Sequence, residues 1–306
     1  MQETNFRSGF AAVVGRPNVG KSTLVNALIG QKIAIVSDKP QTTRNRILGV
    51  LTRADAQIIF LDTPGIHRPQ HKLGRYMVGV AKETLTEVDV ILLVVEATTA
   101  PGAGDHFISS LLRETKTPVF LAVNKIDRVK AAAIPGIMAA YSSLADFAGV
   151  LPISALQGEN LDRLTSDLLR LLPAGPMYYP PDQVTDQPER VLAGELIREK
   201  VLQLTRDEVP HSVAVEVEEF REKGDFLYIR ALLYAERESQ KGILVGEGGR
   251  RLKEIGTLAR QEMESLFGNR IYLDIWVKLR KDWRNQETSL RGFGYDLNLV
   301  RDGERD

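Results

Sequence analysis

Gly15-Arg16-Pro17-Asn18-Val19-Gly20-Lys21-Ser22 follows the apolar run Phe10–Val14 and leads into Thr23-Leu24-Val25-Asn26-Ala27-Leu28-Ile29, which stops at Gly30. The octet fits G-x-x-x-x-G-K-[ST], a phosphate-binding loop, in the strand–loop–helix context that such a loop needs. Its glycines let backbone N–H groups curl around phosphates, and the helix N-terminus adds partial positive charge. Lys21 is placed to reach the β- and γ-phosphates, and the Ser22 hydroxyl to ligate Mg²⁺, with Thr23 next to it. Alternation of strands with helical runs (84–87, 105–114, 136–147, 160–172) predicts a doubly wound, mostly parallel α/β sheet around this loop.

Two further segments follow in order. Asp62-Thr63-Pro64-Gly65 closes a second strand-like run, Gln57–Leu61, and the C-terminal ends of strands in open α/β sheets are where ligands bind. There Asp62 is expected to hold Mg²⁺ through a water, and the Gly65 N–H to meet the γ-phosphate. Asn124-Lys125-Ile126-Asp127 closes another buried run, Pro118–Val123. A carboxylate at Asp127 can only accept, which suits the N1–H and 2-amino donors of guanine. Adenine would leave that carboxylate unpaired and be rejected. Asn124 is assigned to the guanine and the neighbouring loops, and the Lys125 stem to the base plane. Ser154-Ala155, after Val150–Ile153, is the companion loop, with the Ala155 N–H directed at guanine O6.

With these segments in order, residues 10–175 resemble a translation-factor-type GTPase domain of the Ras-like fold. The resemblance implies a switch cycling between GTP and GDP, and a first-switch threonine that completes the Mg²⁺ shell. Thr42 and Thr43 both occupy that slot, and Thr43 is the expected ligand of the two. One departure stands out. Ras-like enzymes place a Gln after D-x-x-G to orient the attacking water, whereas this chain has Ile66, so intrinsic hydrolysis is expected to be slow. Asn18 resembles the asparagine with which related GTPases bind K⁺ against the phosphates. The catalytic set implied is Lys21, Thr43, Gly65 and Asn18. His67 and His71, in the second switch, read as solvated side chains.

The 306 residues are long enough for two domains. With no cysteine, neither a disulfide framework nor a thiolate metal site exists. Forty basic residues against 40 acidic ones exclude a broadly basic nucleic-acid coat, though not a local basic face. The N-terminus MQETNFRSG lacks an apolar signal core, and the longest apolar stretch, Val88–Val95, is interrupted by Asp89. The expectation is a cytoplasmic protein. Four prolines fall between Pro173 and Asp182, a density that neither helix nor central strand tolerates. The domain expectation is therefore 1–175, a stiff linker at 176–190, a second domain at 191–285 and a tail at 286–306.

Beyond the linker the pattern changes. Ala193–Leu204 has helical spacing, His211–Glu218 and Phe226–Tyr234 read as strands, and Gln240–Val245 as a short helix. Gly246-Glu247-Gly248-Gly249 is a glycine loop, Arg250–Phe267 a longer helix and Asn269–Leu279 a last strand. That α-β-β-α-α-β order, with G-x-x-G between the second and third helices, resembles an α+β type II KH domain, whose loop clamps an RNA backbone. Gly246, Gly248, Gly249, Arg250, Arg251 and Lys253 are the RNA contacts carried over. Glu247 departs from the neutral or basic residue usual there. Between Arg190 and Arg284 stand 18 basic and 17 acidic residues, so binding would depend on a groove. Lys278–Arg284 could wall it, with Trp283 available for stacking.

A GTPase domain joined by a short linker to one KH domain resembles the Era-like family of bacterial GTPases over nearly the whole chain. The resemblance implies a monomer that binds the 3′ end of 16S rRNA during 30S maturation, in a manner set by the bound nucleotide. It also implies peripheral membrane contact and no DNA partner. Two rivals stay open: a P-loop kinase or ATPase, which would have no use for Asp127, and a GTPase whose second domain binds protein or membrane.

Overall fold

The computed structural model describes residues 6–66, 69 and 71–295. It separates into two compact units, one of residues 1–34, 43–69 and 77–186, the other of residues 35–42, 70–76 and 187–306. His67 and the end of the expected tail lie outside the described residues.

In the first unit the elements run β1 (Arg7–Val14), α1 (Lys21–Ile29), β2 (Ile47–Thr52), β3 (Ala56–Asp62), α2 (Lys72–Thr84, of which residues 72–76 are counted with the second unit), β4 (Val90–Glu96), α3 (Ala103–Leu112), β5 (Val119–Asn124), α4 (Ile134–Ser142), β6 (Gly149–Pro152) and α5 (Leu161–Leu171). The strands form one sheet in the order β2-β3-β1-β4-β5-β6. Only the β2–β3 pairing is antiparallel. Strand alternation sends successive residues of β1 to opposite faces. Ala11 and Val13 pack with Leu24 and Val25 of α1 and Leu164 and Leu168 of α5. Ala12 and Val14 pack with Ile108 of α3 and Tyr141 of α4. Both faces are thus dry, which is why these strands are apolar throughout. Each fully buried Val, Leu or Ile side chain contributes about 1.5–3 kcal/mol.

The helical run expected at 84–87 lies instead in the turn after α2, where Leu85 N–H reaches the Lys82 carbonyl at 3.1 Å. The helix itself precedes it, with Leu73, Met77, Val80, Ala81 and Thr84 buried at three- and four-residue intervals. Gly74, Arg75, Gly79, Lys82 and Glu83 between those positions masked the periodicity.

The proline-rich segment up to Asp186 is fastened to this unit. Gln57, fully buried, accepts from the N–H groups of Tyr178 (2.8 Å) and Tyr179 (3.0 Å) and donates to the Tyr179 carbonyl at 2.9 Å. Val50 N–H donates to the Val184 carbonyl at 2.8 Å. Prolines keep this stretch extended and out of any helix, so its polar groups pair with the edge of the sheet.

The second unit contains α6 (Glu189–Leu204), the four-residue α7 (Val209–Ser212), β7 (Ala214–Lys223), β8 (Phe226–Ala235), α8 (Glu238–Val245), α9 (Arg250–Phe267), β9 (Arg270–Leu279) and α10 (Glu287–Gly292). Its sheet is β7-β8-β9, antiparallel then parallel, with a bulge between Val217 and Glu219. Leu227, Ile229, Ala231 and Leu233 of β8 face Leu196, Ile197 and Val201 of α6 and Ile255, Ala259 and Met263 of α9. The last three recur every fourth residue, one stripe of the helix. Ile35, 1% exposed, belongs to this core. The segment that follows it is stitched to α6: Val36 N–H donates to Glu199 Oε1 at 2.8 Å, and Arg198 donates to the Thr42 carbonyl. Arg198 and Glu199 are each 1% exposed.

Candidate functional site

The phosphate-binding loop joins β1 to α1 where the outgoing connections of neighbouring strands diverge, that of β1 running towards β2 and that of β4 towards β5. A crevice at the C-terminal ends of the strands is the outcome of that topology. Gly15 is required there: a Cβ on it would lie 2.2 Å from the Val94 carbonyl oxygen. Gly65 touches the loop so closely that a Cβ would meet Pro17 N at 2.7 Å. Ile66 N–H donates to the Gly15 carbonyl at 3.2 Å, and its side chain is buried in the apolar core. The position after D-x-x-G therefore offers no polar group to an attacking water.

Lys21, 6% exposed, folds under the loop and donates to the carbonyls of Gly15 (3.2 Å) and Arg16 (3.0 Å). Ser22 Oγ donates to Asp62 Oδ2 at 2.6 Å and lies 2.8 Å from Thr43 Oγ1, which reaches the same carboxylate oxygen at 3.4 Å. The structure thus brings Ser22, Thr43 and Asp62 together. Thr42 turns away, its hydroxyl donating to the Lys39 carbonyl at 2.6 Å. Thr63 ties the strand end to β1 through the Val13 carbonyl at 2.8 Å, and Thr23 sits half-buried in the first turn of α1.

Asp62 is wholly buried and its Oδ1 has no hydrogen-bond partner. Burial pushes its carboxyl up from 3.8 to about 6, against the opposing pull of Lys21 and of the hydrogen bonds from Ser22, Thr43 and Thr63. Burial likewise lowers Lys21 from 10.5 to about 8, the Asp62 charge acting the other way. Two charged groups held at such cost point to a ligand of matching charge. Hydroxyl and carboxylate oxygens around an unsatisfied Oδ1 are the donor set that suits Mg²⁺, which binds through one or two carboxylates plus phosphates. Among the described residues no cluster of three or more His, Cys, Asp or Glu side chains forms a metal site of its own.

The base-reading residues converge from β5 and the loop after β6. Asn124 donates to the Val19 carbonyl at 2.9 Å and accepts from Ala155 N–H at 2.9 Å. It therefore braces the phosphate loop against the Ser154-Ala155 loop, and the Ala155 N–H expected at guanine O6 rests on Asn124. Buried Ser154 donates to Asp127 Oδ1 at 2.6 Å and accepts from Gln157 N–H at 3.1 Å, leaving the Asp127 side chain exposed but oriented. Lys125 stands in the left-handed region (φ 65°) with Nζ on the Asn18 carbonyl at 2.5 Å and on Glu96 Oε2 at 2.6 Å. Arg16 is engaged by Asp105 at 2.9 Å and Thr99 at 3.1 Å. The sequence reading missed Glu96, Thr99 and Asp105, although Glu96 closes a strand in register with Asn124.

In the second unit, α8 ends at Gly246, a 3₁₀ turn spans Glu247–Gly249, and α9 starts at Arg250. Beside this loop lies an open groove of about 390 Å³ with Leu252, Leu273 and Ile275 as apolar lining and Lys253 and Arg260 as cations. Arg250 is exposed and pairs with Glu247 at 2.7 Å. Arg251 turns inward and donates to the Leu204 carbonyl at 2.8 Å, capping α6.

The expected wall at Lys278–Arg284 needs correction. Trp283 is 0% exposed, with its indole N–H on the Ser212 carbonyl at 2.8 Å and its ring against Phe293 and Tyr295. A buried indole needs a hydrogen-bond partner, and α7 supplies it. Arg284 is held by Glu236 at 2.6 Å, and Lys278 lies 3.6 Å from Glu218. Trp283 is a core residue, unavailable for base stacking.

Among known proteins, the family model described as a 50S ribosome-binding GTPase matches residues 10–125, and that of the KH domain matches residues 208–284. A crystal structure of Era from Aquifex aeolicus bound to GDP·AlF4⁻ is 43% identical, covering 95% of this chain and 100% of that one with a TM-score of 0.92. A crystal structure of Era in complex with MgGDPNP and nucleotides 1506–1542 of 16S ribosomal RNA agrees at 43% identity with the same coverage and a TM-score of 0.93. A nucleotide crevice on a six-stranded sheet, a KH domain after it and this likeness over nearly the full length establish that the chain belongs to the Era family of GTPases.

Proposed function

We propose that the protein is a GTP-hydrolysing switch that binds 16S rRNA near its 3′ end and assists maturation of the 30S subunit. The observation that carries this reading is the oxygen cluster of Ser22, Thr43 and Asp62 beneath a phosphate-binding loop, in a chain that also carries a KH groove.

In this reading residues 15–23 bind the α- and β-phosphates through backbone N–H groups, with Lys21 moving from its loop carbonyls onto the β- and γ-oxygens. Asp62-Thr63-Pro64-Gly65 presents the Gly65 N–H to the γ-phosphate. Ser22 and Thr43 would ligate Mg²⁺ and Asp62 would hold it through a water, the ion supplying positive charge against the phosphates. Asp127, oriented by Ser154, accepts the two guanine donors, while the Lys125 stem covers the base. Asn124 and Ala155 brace that pocket. With Ile66 where a water-orienting Gln stands in Ras, Asn18 is the residue assigned to a K⁺ ion beside the phosphates. Faster turnover in K⁺ than in Na⁺ is the expected outcome, and equal rates would remove K⁺ from the scheme.

On the second unit, Gly246, Gly248 and Gly249 allow close phosphate approach, and Arg250 and Lys253 supply charge. The exposed Arg250–Glu247 pair is worth little, so a phosphate can displace the glutamate. Among the described residues no helix is long and apolar enough to cross a membrane. The same reading makes the protein a monomer in the cytoplasm with peripheral membrane contact.

Filter binding of 16S 3′-end RNA to the full chain, with GDPNP or GDP and across a salt series, tests the reading. Tighter binding with GDPNP and a negative salt slope are expected. RNA affinity indifferent to the nucleotide, or its absence, would favour a protein or membrane partner for the second unit.

A further inference from the structure

The groups assigned to the base and to the phosphates are bridged by a side chain that belongs to none of the nucleotide motifs. Glu96 closes β4, with a side chain only 19% exposed, and its Oε2 accepts from Lys125 Nζ at 2.6 Å. Its Oε1 lies 3.9 Å from the Arg16 guanidinium. Lys125 Nζ donates in turn to the Asn18 carbonyl. Asn18 and Lys125 both stand in the left-handed region, at φ 66° and 65°, a conformation that asparagine tolerates and lysine rarely adopts. One ammonium thus joins two unusual backbone positions, and one carboxylate fixes that ammonium.

The surroundings make the bridge rigid. Asp105, 3% exposed, accepts from Arg16 Nε and from the Gly102 N–H, each at 2.9 Å. Tyr141, fully buried, donates its hydroxyl to the Thr99 carbonyl at 3.1 Å, and the Thr99 hydroxyl accepts from Arg16 at 3.1 Å. Glu96, Thr99, Asp105 and Tyr141 come from β4, the loop after it, α3 and α4, so the framework of the sheet holds the cluster.

We infer that Glu96 is a positioning residue for nucleotide retention. It fixes the Lys125 stem where the purine plane must lie, and through Lys125 it holds Asn18 in the arc of the phosphate loop. A partly exposed ion pair adds little to folding stability. A lysine locked before the ligand arrives, by contrast, lowers the entropic cost of binding. The inference rests on the guanine-nucleotide reading of this pocket.

The test is the dissociation rate of N-methylanthraniloyl-GDP with Mg²⁺ from the full chain. Glu96→Gln keeps the side-chain size and an acceptor but loses the charge. It is expected to speed dissociation about tenfold, the effect of one weakened charge-assisted hydrogen bond, with the association rate unchanged. On a Lys125→Met background the same substitution is expected to add nothing, and the melting midpoint of the nucleotide-free protein to stay where it was. A wild-type dissociation rate in Glu96→Gln, or equal acceleration with and without Lys125, overturns the inference. Failure of the wild-type chain to bind this probe at all would instead bring down the guanine-nucleotide reading.

Discussion

Replacing Asp62 by Asn is expected to stabilise the nucleotide-free protein, and to do so only above a definite pH. The carboxylate is wholly buried, one of its oxygens has no partner, and its acidity constant in the folded chain lies near 6 against an ordinary 3.8. A raised folded value means that the native state holds the proton more tightly than the unfolded chain. The stabilising contribution is complete below about pH 4 and is lost as pH rises through about 6. Shifting from 3.8 to about 6 corresponds to about 3 kcal/mol. Asn at this position does not titrate, so the stability of Asp62→Asn relative to wild type should climb by about 2 kcal/mol of that total between pH 4 and 6.5. The window stops short of the Lys21 titration, which burial brings down to about 8 and which loses its opposing charge in the variant. Both tryptophans, Trp276 and Trp283, belong to the second unit, so indole fluorescence is blind to the change. Urea titrations followed by far-ultraviolet circular dichroism, fitted to two transitions because two units need not unfold as one, supply the measurement. Adding Mg·GDP is expected to reverse the order, since a ligand that binds only the folded state stabilises by mass action. A stability difference that stays flat from pH 4 to 6.5 would refute the reasoning.

Three other outcomes follow from the same geometry. Asp127→Asn removes the acceptor for two guanine donors, each worth about 1.5–3 kcal/mol when charged, and is expected to weaken GTP at least about a hundredfold while improving xanthosine triphosphate; competition assays decide it. Arg250→Ala and Arg251→Ala are expected to differ in kind. The first weakens 16S 3′-end RNA binding without altering the urea midpoint, whereas the second lowers that midpoint because it uncaps the Leu204 carbonyl; an RNA titration beside a urea melt separates them. Trp283→Ala is expected to cost about 3–5 kcal/mol in the second unit, as deletion of a buried aromatic does, measured from the second urea transition.

Much of the nucleotide site could be read in the chain because its parts are contiguous. A strand end, a turn and a helix start each carry their own chemistry in four to eight consecutive residues, and strand ends meet on one edge of the sheet. The KH order was legible for a similar reason, since β8 is apolar along most of its length, β9 alternates and α9 shows one stripe. What stayed hidden depends on residues far apart in sequence. Nothing around Glu96 or Asp105 hints that they share Arg16. Trp283 stands among five charged residues, Arg280, Lys281, Asp282, Arg284 and Lys278, so its neighbours suggest solvent while α7 and Phe293 enclose it. Arg251 looks like Arg250 in the sequence. Only the fold shows one pointing out and the other capping a helix.

The stretch from Ile35 to Thr42 carries a lesson about modularity. By chain order it belongs with the nucleotide half, yet its isoleucine is interred in the other half's core and its ends are held by adjacent acidic and basic side chains of α6. A fragment ending near residue 175 would leave Ile35 uncovered and Arg198 and Glu199 behind on the discarded piece. The two halves are therefore not free to be shuffled by recombination like beads on a thread, and a chimera that imports a foreign RNA-binding half would need to import these eight residues with it.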